Sequence, residues 1–259
     1  MTFRGACDII KPILQVKKGG NKRKLDFDIS YYSSLGGRQN NEDVVSVKHD
    51  EKSLLIIVAD GLGGHADGEV ASLTAVESMN KELIGNEPSV EALGQAVENA
   101  NLAVLGKNDY SSMKTTVAAL WLSKEMAVIS TAGDTRVYCF RKGEIIFQSV
   151  DHSLSQLAVI SGDITADEIR GHIDRNKLIR VLGVKENVNP DLNVLEAKSG
   201  DAFLLCSDGF WENIIEKDMI KTLSAAKRSD KWMTEMKLIV NSTANDDCDN
   251  NSAVAVILK

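Results

Sequence analysis

An α+β fold, antiparallel sheet with its helices packed outside, is what this 259-residue sequence predicts, on three observations. Strand-like runs are short, numerous and rich in Val, Ile and Leu. The helical stretches come in groups rather than one after every strand. One pair of runs is joined by the tight turn Arg141-Lys142-Gly143-Glu144, which brings sequence neighbours together antiparallel. With 43% hydrophobic and 26% charged residues, the chain can bury a sizeable core without disulfides, and disordered, collagen-like and coiled-coil readings fall away.

Residues 1–24 stand apart. Lys17, Lys18, Lys22, Arg23 and Lys24 crowd around Gly19 and Gly20, the composition of a solvated basic extension. From residue 25 no linker or repeat interrupts the pattern, so 25–259 reads as a single domain. Its strand-like runs lie at 25–32, 44–48, 53–59, 115–122, 126–130, 136–140, 144–148, 202–206 and 253–258. Between the third and fourth, Val70, Leu73, Val76, Met79 and Leu83 recur at helical spacing. So do Val90, Leu93, Val97 and Val104 behind the start signal Pro88-Ser89, and the two stretches predict a helical hairpin. Trp232 or Met233, Met236 and Val240 mark another one-sided helix before the last strand.

Thirty Lys and Arg against 37 Asp and Glu leave a net charge of −7, the wrong sign for coating a phosphate backbone, so no nucleic-acid partner is expected. Cys7, Cys139, Cys206 and Cys248 are far apart and form no CxxC pair, which indicates neither a zinc ribbon nor a disulfide framework and fits a reducing cytoplasm. No apolar run reaches about 18 residues and no cleavable leader stands at the N-terminus, so the chain is expected neither to span a membrane nor to be secreted.

The acids carry the functional signal. Leu54-Leu55-Ile56-Ile57-Val58-Ala59 ends in Asp60-Gly61, and Phe203-Leu204-Leu205-Cys206-Ser207 ends in Asp208-Gly209. Asp-Gly is also a common turn pair. Repeated at the ends of two buried strands, however, it suggests carboxylates that have lost water and must find a partner, each beside a glycine that lets a backbone carbonyl approach closely. Glu42-Asp43 before Val44 and Asp246-Asp247-Cys248-Asp249 before the last strand have the same character. An oxygen-only donor set selects a hard cation, Mg2+ or Mn2+, over zinc.

The segment Asp60-Gly61-Leu62-Gly63-Gly64-His65-Ala66-Asp67-Gly68-Glu69-Val70-Ala71-Ser72 resembles the DGxGGHxxGxxAS signature of the metal-dependent serine/threonine protein phosphatases of type 2C, bacterial branch. Other elements follow in the same order. Arg38-Gln39-Asn40-Asn41-Glu42-Asp43 is similar to RxxNED, Ala132-Gly133-Asp134-Thr135-Arg136 to GDSR, and Asp151-His152-Ser153-Leu154 to DHSL. Arg175-Asn176 with Leu182-Gly183 resembles the RN...LG stretch, 200–209 the GDxFLLCSDG element, and Asp249-Asn250-Asn251-Ser252 the DNxS element.

The resemblance implies a four-layer α/β/β/α sandwich with metals in a cleft at one edge. By motif position, Asp60, the Gly61 carbonyl, Asp208 and Asp249 would hold two Mn2+ or Mg2+ ions, Asp60 bridging them and Glu42 acting through water. Asp43 would orient this shell, Asp134 with Asp208 would hold a third, more labile ion, and Arg38 would bind the substrate phosphate through its planar fork. The activity implied is hydrolysis of phosphoserine and phosphothreonine in proteins by a water that the metals share and activate, opposing a cytoplasmic Ser/Thr kinase.

This chain departs from the pattern in places. Leu62 stands where animal members have a histidine thought to act as general acid. His65 is the nearest substitute, either a proton donor or a hydrogen-bonder fixing a Gly-rich turn. Lys114 replaces a usual glycine before Thr115-Thr116, and 155–182 corresponds to the variable flap, where His172 and Arg175 either reach the cleft or make a helix-end contact within the flap. Two rival readings stay open: a catalytically weak phosphoprotein-binding module and a phosphoesterase for small metabolites.

Overall fold

The computed structural model of the protein describes residues 25–63, 67–107 and 113–259. The basic segment 1–24 and His65 lie outside these residues. In chain order the elements are β1 (Phe27–Ser34), β2 (Asp43–His49), β3 (Leu54–Leu62), α1 (Asp67–Leu83), α2 (Val90–Lys107), β4 (Lys114–Thr115), β5 (Val117–Leu122), β6 (Met126–Ala132), β7 (Arg136–Arg141), β8 (Glu144–Gln148) and α3 (Leu154–Ser161). A 3-10 turn (Ala166–Gly171) follows, then β9 (Asp191–Glu196), β10 (Ala202–Cys206), α4 (Asp208–Trp211), α5 (Glu216–Ala225), α6 (Ser229–Thr243) and β11 (Asn251–Leu258).

Two antiparallel sheets face each other, one ordered β1-β11-β10-β7-β8 and the other β2-β3-β5-β6-β9, with β4 paired to the end of β3. The unbroken apolar run of β3 follows from this layering, because successive side chains point to opposite faces and both faces are covered. Leu54, Ile56 and Val58 meet Phe203, Leu205, Val254 and Val256 of the facing sheet. Leu55, Ile57 and Ala59 meet Ala75 and Met79 of α1 and Leu93 and Val97 of α2. On the far side, Leu204 and Cys206 of β10 pack with Trp232 and Met236 of α6. The α+β expectation and the sandwich implied by the resemblance both hold.

Several expectations change in detail. The run at 115–122 is broken at Thr116, whose backbone N–H turns to the carbonyl of Asp60. Val70 and Leu73 are exposed rather than part of a buried stripe. The face of α1 that meets the β2-β3-β5-β6-β9 sheet is lined by Ala71, Ser72 and Ala75 as well as Met79 and Leu83, and those small residues let the helix lie close. β9 was not anticipated. It is an edge strand whose residues alternate between half-buried and exposed, so it lacks an apolar run. α5 was missed as well, since Met219 and Thr222 are its buried residues and leave too weak a stripe to register. The hairpin turn at 141–144 does join β7 to β8, with Lys142 (φ 54°) and Gly143 (φ 84°) both left-handed, as a two-residue hairpin loop of this hand requires.

Candidate active site

The ends of several strands meet at one edge of the sandwich. Asp43 opens β2 and lies opposite Asp60 near the end of β3. Asp208 starts α4 directly after β10, Asp249 precedes β11, and Asp134 sits in the turn between β6 and β7. Arg38, Glu42, Asp60, Gly61, Asp134, Asp208 and Asp249 all line one pocket of about 430 Å³. Asp43 lies behind it, buried, where the Ser207 hydroxyl donates to its Oδ2 at 2.7 Å.

Neighbouring chain fixes each acid. The Asp60 N–H donates to Thr116 Oγ1 at 3.0 Å, and the Asp60 carbonyl accepts from the Thr116 N–H and the Thr115 hydroxyl, both at 2.9 Å. Gly61 N–H donates to the Glu42 carbonyl (3.1 Å), which also accepts from the Ser72 hydroxyl (2.6 Å). A Cβ on Gly61 would collide with the Gly68 carbonyl, and one on Gly209 with the Asn250 carbonyl. Both Asp-Gly pairs therefore have glycine because a second stretch of backbone packs onto its α-carbon. Asp134 is held from below, its carbonyl accepting from Trp211 Nε1 at 2.9 Å.

Crowded in a dehydrated pocket, the carboxylates resist ionisation. Burial pushes Asp208 up to about 7, with Asp249, Glu212 and Asp43 adding repulsion, and pushes Asp43 up to about 6. Asp60 and Asp134 are held well above the usual range by burial first and by Asp208 next, and Glu42 is raised chiefly by burial. One oxygen each on Asp43 and Asp208 is buried without a partner. Arg38 Nη2 donates to Asp249 Oδ2 at 2.8 Å, and that carboxylate raises the guanidinium further.

These features fit divalent cations. Orphaned, mutually repelling carboxylate oxygens need positive charge, and a set made only of oxygens suits Mn2+ or Mg2+. Among the described residues, no three Asp, Glu, His or Cys side chains are already drawn together as a closed cage. A cation would supply the positive charge these oxygens lack.

Several residues that build the site have no role in the sequence reading. Asn250 receives the Glu42 N–H on its Oδ1 (2.8 Å) and donates through Nδ2 to the carbonyls of Leu35 (2.8 Å) and Asn40 (2.9 Å). Its only signal was its place beside Asp249. Ser207, Ser72 and the hydrogen-bonded hydroxyls of Thr116 and Thr135 likewise lie inside the motifs without revealing their partners. Of the flap residues, His172 Nδ1 accepts from the Asp174 N–H within the flap, whereas Arg175 reaches out of it to Glu212 (2.7 Å) at the end of α4; neither lines the catalytic pocket.

The family model for protein phosphatase 2C matches residues 32–250. A putative protein phosphatase 2C-type of Streptococcus pyogenes is 32% identical over 211 residues, covering 78% of this chain and 85% of that one. The crystal structure of the Mycobacterium tuberculosis serine/threonine phosphatase PstP/Ppp matches with a TM-score of 0.79 at 30% identity, over 90% of this chain and 99% of the other. A PstP catalytic domain in complex with two manganese ions matches with a TM-score of 0.76 at 28% identity, over 90% and 98%.

Proposed function

This chain belongs to the protein phosphatase 2C family, and on that premise we propose which of its residues carry the reaction. It is a metal-dependent serine/threonine protein phosphatase using Mn2+ or Mg2+. The observation that carries the assignment is the convergence of Arg38, Glu42, Asp60, Asp134, Asp208 and Asp249 on one pocket.

Asp60, the Gly61 carbonyl, Asp208 and Asp249 would hold the first two cations, with Glu42 acting through water, and Asp134 would join Asp208 at a third. Bound there, the cations supply Lewis acidity that lowers the pKa of water and offsets the charge of the phosphate oxygens. Asp43, clamped by Ser207, orients this acidic shell without lining the pocket. Arg38 stands at the rim with a side chain 55% exposed. Its fork binds two phosphate oxygens, and its charge persists at any working pH. Leu62 offers no proton to the departing seryl or threonyl oxygen, which leaves that step to His65 or to water.

Residues 25–259 form one catalytic domain in this reading. The segment 155–182 serves as its flap, contributing Asn176 and Leu178 to the pocket wall. The substrates are phosphoproteins made by an opposing Ser/Thr kinase in the cytoplasm. No helix among the described residues is long and apolar enough to cross a membrane, and Cys139, Cys206 and Cys248 are unpaired thiols, as a reducing compartment keeps them.

The test is hydrolysis of para-nitrophenyl phosphate in chelator and then in excess Mn2+, with the wild type, Asp60→Ala and Asp208→Ala. Activity should depend on Mn2+ and vanish in both variants while thermal melts in chelator still show a folded protein. Full activity in either variant refutes the ligand assignment.

A further inference from the structure

Beside the catalytic pocket runs a second cleft of about 600 Å³, which shares Leu62, Asn176 and Leu178 with it. Its described lining contains Lys114, Arg180 and Lys185 and no carboxylate, in a chain whose net charge is −7. Arg180 is already compensated, since its Nη1 donates to Asp191 Oδ1 at 2.5 Å. Lys114 and Lys185 have no acidic partner among the described residues. At the far end Glu98 is occupied by the backbone N–H groups of Val188 and Asn189.

The two lysines stand on a built platform. Lys114 faces Leu62 across the β3–β4 ladder, one residue from Gly61. Thr115 and Leu182 exchange backbone hydrogen bonds at 3.2 and 2.9 Å, tying the Lys114 strand to the start of the loop that bears Lys185. Fully buried Asn101 then holds that loop, donating to the carbonyls of Lys185 (2.8 Å) and Glu186 (3.0 Å) and accepting from the Gly183 N–H (2.9 Å). Two uncompensated ammonium groups are thus presented on fixed backbone next to the place where a phosphorylated residue is hydrolysed. The two pockets share a wall, and since one residue of extended chain advances about 3.3–3.6 Å, a few residues would carry a peptide from one into the other.

We propose that this cleft is a specificity subsite for acidic substrate segments, in which Lys114 and Lys185 receive carboxylates carried by residues flanking the phosphoserine or phosphothreonine. The proposal rests on the phosphatase reading above and deepens it. Favourable encounter with acidic peptides follows from the local positive field within a negative molecule.

The experiment measures kcat/KM for phosphothreonine peptides that differ only in carrying Asp or Asn at successive flanking positions. Wild type, Lys114→Gln, Lys185→Gln and the double variant are compared, each also assayed on para-nitrophenyl phosphate with Mn2+. The wild type should prefer the Asp peptides at one or more positions by roughly threefold to tenfold, as expected for two exposed charge pairs. That preference should shrink in 0.5 M salt and vanish in the double variant, while para-nitrophenyl phosphate turnover stays level. Equal rates on Asp and Asn peptides in the wild type, or a preference that survives the double substitution, overturn the subsite. Absent Mn2+-dependent para-nitrophenyl phosphate hydrolysis in the wild type overturns the phosphatase reading instead.

Discussion

Replacing Asn250 by aspartate keeps its shape and reverses half of its hydrogen-bonding. The carboxamide is 5% exposed and stitches three points of the 35–42 loop, the loop that carries Arg38 and Glu42, to the residue after Asp249. In Asn250→Ala all three bonds disappear and leave an N–H and two carbonyls without partners. At about 0.5–1.5 kcal/mol net for each bond, the loss is about 2–4 kcal/mol. For a domain of this size that lowers the melting temperature by roughly 5–15 °C. Asn250→Asp keeps the acceptor for the Glu42 N–H but sets carboxylate oxygen against the Leu35 and Asn40 carbonyls and adds negative charge to an already repelling pocket. It should therefore be the less stable of the two at pH 8 in chelator. Both should lose about 100-fold or more in Mn2+-dependent turnover, because a shift of about 1 Å in Arg38 or Glu42 is enough for that. Melts in chelator and in Mn2+, paired with para-nitrophenyl phosphate kinetics, make the comparison. An aspartate variant as stable and active as wild type would refute the claim that the two donated hydrogen bonds hold this loop.

Other outcomes follow from the same geometry. Arg38→Ala should chiefly raise KM for a phosphopeptide; a fall confined to kcat would make Arg38 a contact formed in the transition state. Because Asp43 and Asp208 titrate higher in the folded protein than in the unfolded chain, their contribution to stability in chelator is fully present below about pH 4 and is lost as pH rises through about 7. The melting temperature in chelator should accordingly fall between pH 5 and pH 8 while the increment gained on adding Mn2+ grows, and an opposite trend in either would contradict the repulsion described here. Arg136 is 3% exposed, donates to both carboxylate oxygens of Asp151 at 2.8 and 2.6 Å and stacks 3.5 Å from the Trp211 ring centroid. Arg136→Met should cost about 3–5 kcal/mol by stranding Asp151, and part of that should return in Arg136→Met/Asp151→Leu; a double variant no better than the single would disprove the stranded charge.

The fold was legible where a run was apolar enough to be covered on both faces. β3, β7 and β10 are legible within a few residues, and so are α1, α2 and α6; β8, an edge strand with alternating burial, is legible through its hairpin turn. Where burial is partial the signal fails: β9 alternates along an open edge, and α5 turns two buried residues inward. The face of α1 departs from expectation at Val70 and Leu73, because small residues set its close approach to the sheet beneath it and hydrophobicity alone ranks them low. Among site residues, the acids were visible because each ends or precedes a strand. Asn250 and Ser207 were not, since their partners lie more than 150 residues away and a motif records a residue without its partner.

The glycines of the two Asp-Gly pairs carry the argument one step further. Beyond bringing a carbonyl near a bound ion, as the sequence leads one to expect, each glycine is pressed against a second backbone: Gly61 against Gly68, Gly209 against Asn250. These contacts join the start of α1 to β3 and the approach to β11 to α4, fixing the spacing of Asp60, Asp208 and Asp249 before any ion arrives. A pocket preset in this way keeps its carboxylates near one another, so burial and mutual repulsion hold Asp60 well above the usual carboxylate range and push Asp208 up to about 7. Cation binding must therefore expel protons, and apparent Mn2+ affinity should rise steeply from pH 6 to pH 8. Proton release on titrating Mn2+ into weakly buffered protein measures this directly. Release near zero at pH 6 would mean that the acids are already ionised and held apart, and the preset pocket would have to be abandoned.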